Sequence, residues 1–392
     1  MNILYVDYEM YGKEDIIEAF MMLGHNVYST DVPVLYENDK NMLREKLCED
    51  MSGAGCEVCF TSNYHPEVSE LADKLGMKYI SWTYDSPLIA LYHPSILNEC
   101  NYVFIFDSAE VAKLKSYGVK HVYYMPLGIN PDRLDKISIS RKDEETFKAD
   151  VSLVASLYNE KHNLYDRMSE RLDEHTKGYL EGVMNAQANM FGVNIIDEVF
   201  SQNAGIVAKM YKAMPYSIEE GCLERLPYVY ANYFICRKVA YMQRMTFIRE
   251  ISKRFEMKVY TPGDLSDIKT VKVMGTVDYK TDMNKVFKLS KVNLNVTLPS
   301  IHTGIPLRAM DIMGAGGLLL SNWQMDFDGL FENGTDYSVY SSLDEALYMI
   351  EYYLEHEDER VAISQNAKMK MREGFDIVVL VQQMMEIVME TR

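Results

Sequence analysis

Along the first third of the chain, short apolar runs alternate with amphipathic stretches, the pattern that strands and crossover helices of a parallel sheet produce. The runs predict strands at Ile3 to Val6, Asn26 to Ser29, Glu57 to Thr61, Lys78 to Trp82, Tyr102 to Phe106 and Val122 to Met125. Gly12, Gly24, Gly76 and Gly118 fall where turns between strands and helices are expected. No Gly-x-Gly-x-x-Gly follows the first strand, which argues against a dinucleotide cofactor in this half. The alternation breaks at Pro126-Leu127-Gly128-Ile129-Asn130-Pro131, and the charged run Arg141 to Glu145 follows. This shift marks a linker and puts a domain boundary near Ala149, giving domains 1–148 and 149–392.

The second half opens on a strand-like run from Asp150, then turns helical in character over about 161–255, longer than one crossover helix. That stretch is expected to be a helical insertion packed on the domain, and it is a candidate surface for an acceptor protein or for oligomer contacts. Strand patterning resumes at Lys258 to Thr261, Val271 to Met274 and Val292 to Leu298, with the amphipathic helix Lys280 to Leu289 between the last two. The final helix, Ile377 to Glu390, is amphipathic enough to pack back on the first domain. The fold class expected is therefore α/β, with two Rossmann-like domains and a helical insertion in the second.

Residues at the carboxyl ends of parallel strands face the ligand crevice. In the first half three polar clusters stand there: Asp7, Tyr8, Tyr11 and Gly12; Ser62 to His65; and Trp82 to Pro87. Asp85 and His65 are the ionisable groups in these clusters with the chemistry of a general base, and are the candidate catalytic residues. The plainer alternative makes Asp85 a turn or cap residue and His65 a loop residue before a proline.

In the second half, Leu298 to Trp323 reads as strand end, loop, helix and strand. Its loop carries His302, Thr303, Gly304 and Pro306, and the helix start carries Arg308 and Asp311. An anion is expected at such a helix start, where backbone N–H groups converge. Gly304 allows close backbone approach, and Pro306 suits a first helical position. Arg308 offers a fork of donors for phosphate oxygens, and Asp311 can accept from sugar hydroxyls. The plainer alternative pairs Arg308 with Asp311 on the helix surface and gives the glycines only to the packing of Leu318 to Leu320.

Composition narrows the classes. With 58 acidic against 40 basic residues, a net charge of −18 opposes general attraction to nucleic acid. No apolar run approaches the length of a membrane span, and Met1 to Asp7 lacks the basic start of a signal peptide, so a cytoplasmic protein is expected. Cys56 and Cys59 have Cys-x-x-Cys spacing, but no second such pair completes a tetrahedral site, and buried thiols are expected there instead of a metal.

The run Gly304-Ile305-Pro306-Leu307-Arg308, with Asp311 and Met313-Gly314-Ala315-Gly316-Gly317 after it, resembles the donor-sugar loop of glycosyltransferases with two facing Rossmann-like domains, the GT-B fold. It is most similar to the CgeB-type spore-maturation family. Other segments join the resemblance: Pro126 to Pro131, which closes the first domain in such proteins, and the strand from Asp150 to Asn159, where Ala155 stands in place of the family's usual glycine. The turn Gly275-Thr276-Val277 resembles one that holds the nucleotide base, so the resemblance makes Val277 and Tyr260 base contacts. The family's usual His-Thr-Tyr near the end is replaced by Gly374-Phe375-Asp376, and that histidine's role is not carried over.

What the resemblance implies is transfer of a sugar from a nucleotide diphosphate sugar to a protein or cell-surface glycan acceptor, with no cofactor or metal beyond the donor. Arg308, with Lys161, would balance the charge of the leaving diphosphate, and Asp311 would hold the ribose. Retaining relatives such as glycogen synthase place acids at both ends of a spacing that here runs from Thr303 to Asp311; only the second is acidic, and the stereochemistry stays open. Two other functions stay open as well: a catalytically idle nucleotide-sugar-binding relative, and a nucleotide-sugar epimerase.

Overall fold

The structure, a computed structural model, describes residues 1–10, 12–32, 40–53, 55–159 and 163–390. These divide into two compact units, the first formed by Met1–Asn130, Glu219–Leu223 and Gly374–Arg392, the second by Pro131–Ile218 and Glu224–Glu373.

The first unit holds a parallel sheet of β1 (Asn2–Asp7), β2 (Asn26–Asp31), β3 (Val58–Ser62), β4 (Lys78–Thr83), β5 (Asn101–Ile105) and β6 (Val122–Tyr124), in the order β2-β1-β3-β4-β5-β6. Strands β3 and β5 are buried along their whole length, which is why they read as continuous apolar runs. β2, at the edge, is exposed at Asn26, Tyr28 and Ser29. The order reverses between β1 and β3, so the crevice of this sheet lies at their carboxyl ends. Helix Ile377–Glu390 completes the unit by packing on helix Lys13–Met22. Its start is tied to the linker by Ile129 N–H to Phe375 O (2.9 Å) and Ile377 N–H to Ile129 O (2.8 Å). Gly128 lets this happen, because a Cβ there would lie 2.8 Å from Leu380 Cδ1.

The second sheet is also parallel, with β7 (Ala149–Val154), β8 (Met257–Tyr260), β9 (Lys272–Gly275), β10 (Ser290–Asn295), β11 (Leu319–Asn322) and β12 (Ser338–Tyr340) in the order β12-β11-β10-β7-β8-β9. Counted from β7 this is the Rossmann order, with its reversal between β7 and β10. Side-chain alternation gives each face its partners. Val151, Leu153, Val292 and Leu294 join a core with Met245, Phe247 and Ile248 of helix Cys236–Ile251 and with Leu347 and Ile350 of helix Leu343–Glu355. Ser152 and Asn293 point the other way, bonded to each other at 2.7 Å, with Asn293 Nδ2 donating to Phe287 O at the end of helix Asp282–Leu289.

The helical stretch comprises Leu164–Ser169, Glu174–Ala188, Ile196–Gln202, Ala204–Ala213, Leu226–Val229, a π-helical segment Tyr230–Ile235 and the long helix Cys236–Ile251. The last of these is the crossover between β7 and β8, so the others are inserted before it. Two local expectations change. Pro306 is the residue before the helix, extended at φ −67 and ψ 150, and Leu307 is the first helical residue. Leu330 to Tyr337 reads in sequence as a hairpin-like turn; a turn does form, closed by Gly334 N–H to Tyr337 O, but the strand after it runs parallel to β11, so there is no hairpin.

Candidate functional site

The loop after β10 is held open by side chains from the end of the neighbouring strand. Asn322 Oδ1 accepts from Thr297 N–H at 2.8 Å, and Gln324 Nε2 donates to Ile301 O (3.0 Å) and Gly304 O (3.3 Å). Thr303 is buried, bonding Asp326 through its hydroxyl (3.3 Å) and its carbonyl (3.0 Å). His302 sits at the other side of the loop, its Nε2 3.1 Å from Asp197 in helix Ile196–Gln202, and Asp197 in turn accepts from Asn232 at 2.7 Å. The loop is thus a fixed backbone surface beside the β7/β10 reversal, buttressed by the inserted helices. Asn322 and Gln324 were passed over in sequence; their only signal was polarity on both sides of Trp323 directly after an apolar strand.

Arg308 and Asp311 do meet, at 3.3 Å, but not as a surface pair. Asp311 is 5% exposed and also accepts from the Tyr279 hydroxyl at 3.3 Å. The Arg308 guanidinium lies against Met283 Sδ and 5.6 Å above the Phe287 ring, both on helix Asp282–Leu289. A buried carboxylate and a ring bed therefore orient the fork, while part of it stays open to solvent. The glycines that follow are packing residues: Gly316 closes the helix at φ 82, and a Cβ on Gly317 would lie 2.6 Å from Phe287 O.

Val277 is half-buried in the turn after β9, beside Tyr279. Tyr260, at the end of β8, is 2% exposed, its ring 6.3 Å from Phe147, and its buried hydroxyl has no hydrogen-bond partner. Burial pushes that phenol well up from its ordinary value. Lys161 lies outside the described residues.

Sequence also passed over Arg244. It is 8% exposed, and its guanidinium donates to Val296 O (2.8 and 3.3 Å) after β10 and to Ser156 O (2.5 Å) after β7. One buried cation thus joins the two strand ends that bracket the reversal.

In the first unit the candidate bases belong to two adjoining networks. The His65 ring stacks on Tyr8, 3.5 Å between centres and 6° from parallel, and Tyr8 donates to Glu67 at 3.0 Å. His65 also precedes helix Pro66–Leu75, without a side-chain cap bond. Asp85 is exposed, and its Oδ2 accepts from Asn63 Nδ2 at 2.8 Å. Asn63, left-handed at φ 65, also accepts from Tyr84 and Asp85 N–H groups at 2.8 and 3.0 Å, so it fixes both the backbone and the carboxylate of Asp85. Asp7 is held by Lys13 and by Glu9 N–H at 2.8 Å. Tyr11 lies outside the described residues.

Burial works to raise the Glu67 carboxyl, but the nearby His65, its own backbone N–H and the Tyr8 hydroxyl outweigh it and hold the group at about 2, below its ordinary 4.5. A depressed carboxyl adds stability above its unfolded value and loses it as the pH falls through the folded one. The first unit is therefore expected to lose stability between about pH 4.5 and about pH 2, and Glu67→Gln to flatten that part of an acid-unfolding curve followed by circular dichroism. Coincident curves for variant and wild type would remove Glu67 from the linkage.

Asp326-Phe327-Asp328 has the Asp-x-Asp spacing, contrary to the expectation of a chain without that motif. The two acids face different partners, Asp326 bonding Thr303 and Asp328 accepting from the Trp323 indole at 3.4 Å. Among the described residues no group of three or more His, Cys, Asp or Glu is placed to hold a metal ion, and no helix is long and apolar enough to cross a membrane. Cys56 and Cys59 are buried free thiols.

Residues 243–386, which contain the whole loop after β10, match the profile of a family described as glycosyl transferase-like. No curated protein sequence matches the chain. Among solved structures the chain is similar to Anabaena HepE in complex with UDP-glucose (11% identity, 99% of both chains, TM-score 0.55). It is similar as well to sucrose-phosphate synthase from Thermosynechococcus elongatus (8% identity, 100% of both chains, TM-score 0.58). A third is the putative UDP-N-acetylglucosamine 2-epimerase from Listeria monocytogenes (10% identity, 100% of this chain and 97% of the other, TM-score 0.52). At these identities the likeness is one of fold, and the two parallel six-stranded sheets with flanking helices are the α/β architecture of GT-B glycosyltransferases.

Proposed function

We propose that this chain is a CgeB-like glycosyltransferase that moves a sugar from a nucleotide diphosphate sugar to a protein or cell-surface acceptor, without a divalent metal. The observation that carries the proposal is that the glycosyl transferase-like segment, 243–386, includes the loop and helix start at the reversal of the second sheet, where Arg308 is held ready for an anion. HepE with UDP-glucose is one structural neighbour, which makes uridine the first base to try.

In this proposal Arg308 neutralises charge on the leaving diphosphate. Asp311, nearly buried and bonded to Arg308 and Tyr279, orients that fork and keeps little surface for a direct ribose contact. The backbone of 301–304 receives the sugar, and Val277 with the end of β8 lies against the base. Asp85, whose carboxylate Asn63 aims, is the base for the acceptor hydroxyl. Asp85→Asn is then expected to lower transfer by at least about a hundredfold while donor affinity, measured by calorimetry, stays unchanged. Full turnover by that variant would remove Asp85 from the mechanism.

A second function, nucleotide-sugar epimerisation, is kept by the Listeria neighbour, of comparable likeness. Analysis of the product separates the two: transfer frees a nucleoside diphosphate, whereas epimerisation returns a sugar still attached to it.

A further inference from the structure

Two of the inserted helices, Leu164–Ser169 and Glu174–Ala188, meet the crossover helix Cys236–Ile251 around a cleft of about 450 Å³. That size falls within the range of about 300–1,000 Å³ typical of small-ligand sites. The cleft shares no residue with the loop after β10. Helical spacing accounts for it. Lys177, Glu181 and Met184 stand at i, i+4 and i+7 of one helix, and Lys238 and Met242 at i and i+4 of another, so each helix turns a single stripe to the space between. Met184, buried, and Met242, half-buried, supply its apolar surface.

The two lysines of the cleft are already matched. Lys177 lies 2.9 Å from Glu174 and Lys238 2.7 Å from Asp166, with Lys238 also 4.8 Å from the centre of the Tyr241 ring. Glu170 and Glu181 are not matched: both are exposed on the cleft, and neither has an ion-pair or hydrogen-bond partner among the described residues. Two exposed acids alone would be ordinary surface. Tyr165, which lines the same cleft, is what sets them apart. It is 5% exposed, yet its hydroxyl has no hydrogen-bond partner among the described residues. Burial pushes that phenol up to about 12, and the nearby Glu181 and Asp166 carboxylates add to the shift, which places the hydroxyl among the acids of the cleft. A buried hydroxyl left without a partner is costly, so its position at a cleft points to a partner that arrives with a ligand.

We propose that this cleft binds a primary ammonium group on an aliphatic stem, the chemistry shared by a lysine side chain and a free diamine. The stem lies on Met184 and Met242. The ammonium has three donors and no acceptor, which suits the Tyr165 oxygen and the two unmatched carboxylates, Glu170 and Glu181. The cleft's own lysines do not oppose it, because a carboxylate balances each, and the acids left over disfavour an anion. All of these residues belong to the second unit, and the site does not rest on the function proposed above.

The test is calorimetric titration of the full chain at low salt with 1,5-diaminopentane, Nα-acetyl-lysine amide and Nα-acetyl-norleucine amide, the last of which keeps the stem and lacks the ammonium. Wild type is expected to bind both amines with a Kd of about 1 mM or below, and the norleucine compound at least about tenfold more weakly. Glu181→Gln is expected to weaken the amines by about tenfold, the lower end for a hydrogen bond between charged groups, and Glu170→Gln combined with Glu181→Gln to abolish measurable binding. Both positions are exposed, so neither change threatens the fold. Tyr165→Phe is expected to weaken the amines by about two- to tenfold without lowering Tm, because the hydroxyl it removes has no partner to lose in the free protein. The amine bound the tighter names the source: the diamine a free small molecule, the lysine amide a side chain of a protein partner. Binding of neither amine below about 10 mM, norleucine amide bound as tightly as lysine amide, or equal amine affinity in wild type and the doubly substituted variant overturns the proposal.

Discussion

Arg308→Ala is expected to weaken nucleoside diphosphates by about ten- to a hundredfold while leaving the free nucleoside's affinity as it was. The asymmetry follows from what the side chain touches. Its guanidinium lies on the Phe287 ring and Met283 and bonds Asp311, so it is already oriented before a ligand arrives and little conformational entropy is lost on binding. The nucleoside makes no use of it. Removing Arg308 also takes one partner from Asp311, which is 5% exposed and bonded to the Tyr279 hydroxyl as well. The same variant is therefore expected to lose about 1–3 kcal/mol of stability, the cost of a buried polar group that loses a partner. Calorimetric titration alongside thermal unfolding reads both. Equal affinity of wild type and variant for a diphosphate would take Arg308 out of the site.

Gly317→Ala is expected to destabilise the second unit by about 1–3 kcal/mol, seen as a fall of about 2–4 °C in Tm for each kcal/mol. The added Cβ would lie 2.5 Å from Asn293 Nδ2 and 2.6 Å from Phe287 O. The backbone oxygen cannot step aside as the end of a flexible side chain would. Asn293 has little room either, because it bonds Ser152 at 2.7 Å and Phe287 O at 3.1 Å, and so ties β10 to β7 and to the helix that carries Met283. Moving it disturbs the bed of Arg308, so weaker diphosphate binding should accompany the lower Tm. A variant with unchanged Tm would show that the chain relaxes at this contact.

Which parts of this molecule could be read from sequence follows from how local each signal is. The strands of the first sheet were legible because β3 and β5 are buried on both faces and their apolar runs are uninterrupted. The loop after β10 was legible as a motif, and the contact of Arg308 with Asp311 follows from helical spacing alone. That Asp311 is buried and bonded by the Tyr279 hydroxyl could not be read, because the two residues are 32 apart. Nor could the braces from Asn322 and Gln324, or the bonds of Arg244 to Ser156 and Val296, which join residues 88 and 52 apart. Such residues carry no local pattern; a polar side chain after a strand or inside a helix has many other uses. Asn63 is similar: its left-handed backbone and its hold on Asp85 join two strand ends that only the sheet brings together.

The most direct measurement incubates the purified full chain with a panel of nucleotide diphosphate sugars in the presence of a metal chelator, and follows binding by calorimetry and nucleotide products by chromatography. The expected result is selective binding of one nucleotide sugar, weakened in Arg308→Ala, with slow release of its nucleoside diphosphate that accelerates when the acceptor is supplied. Binding of none of the panel, or conversion of a bound donor to a different sugar still joined to its diphosphate, would contradict assignment of the chain as a glycosyltransferase.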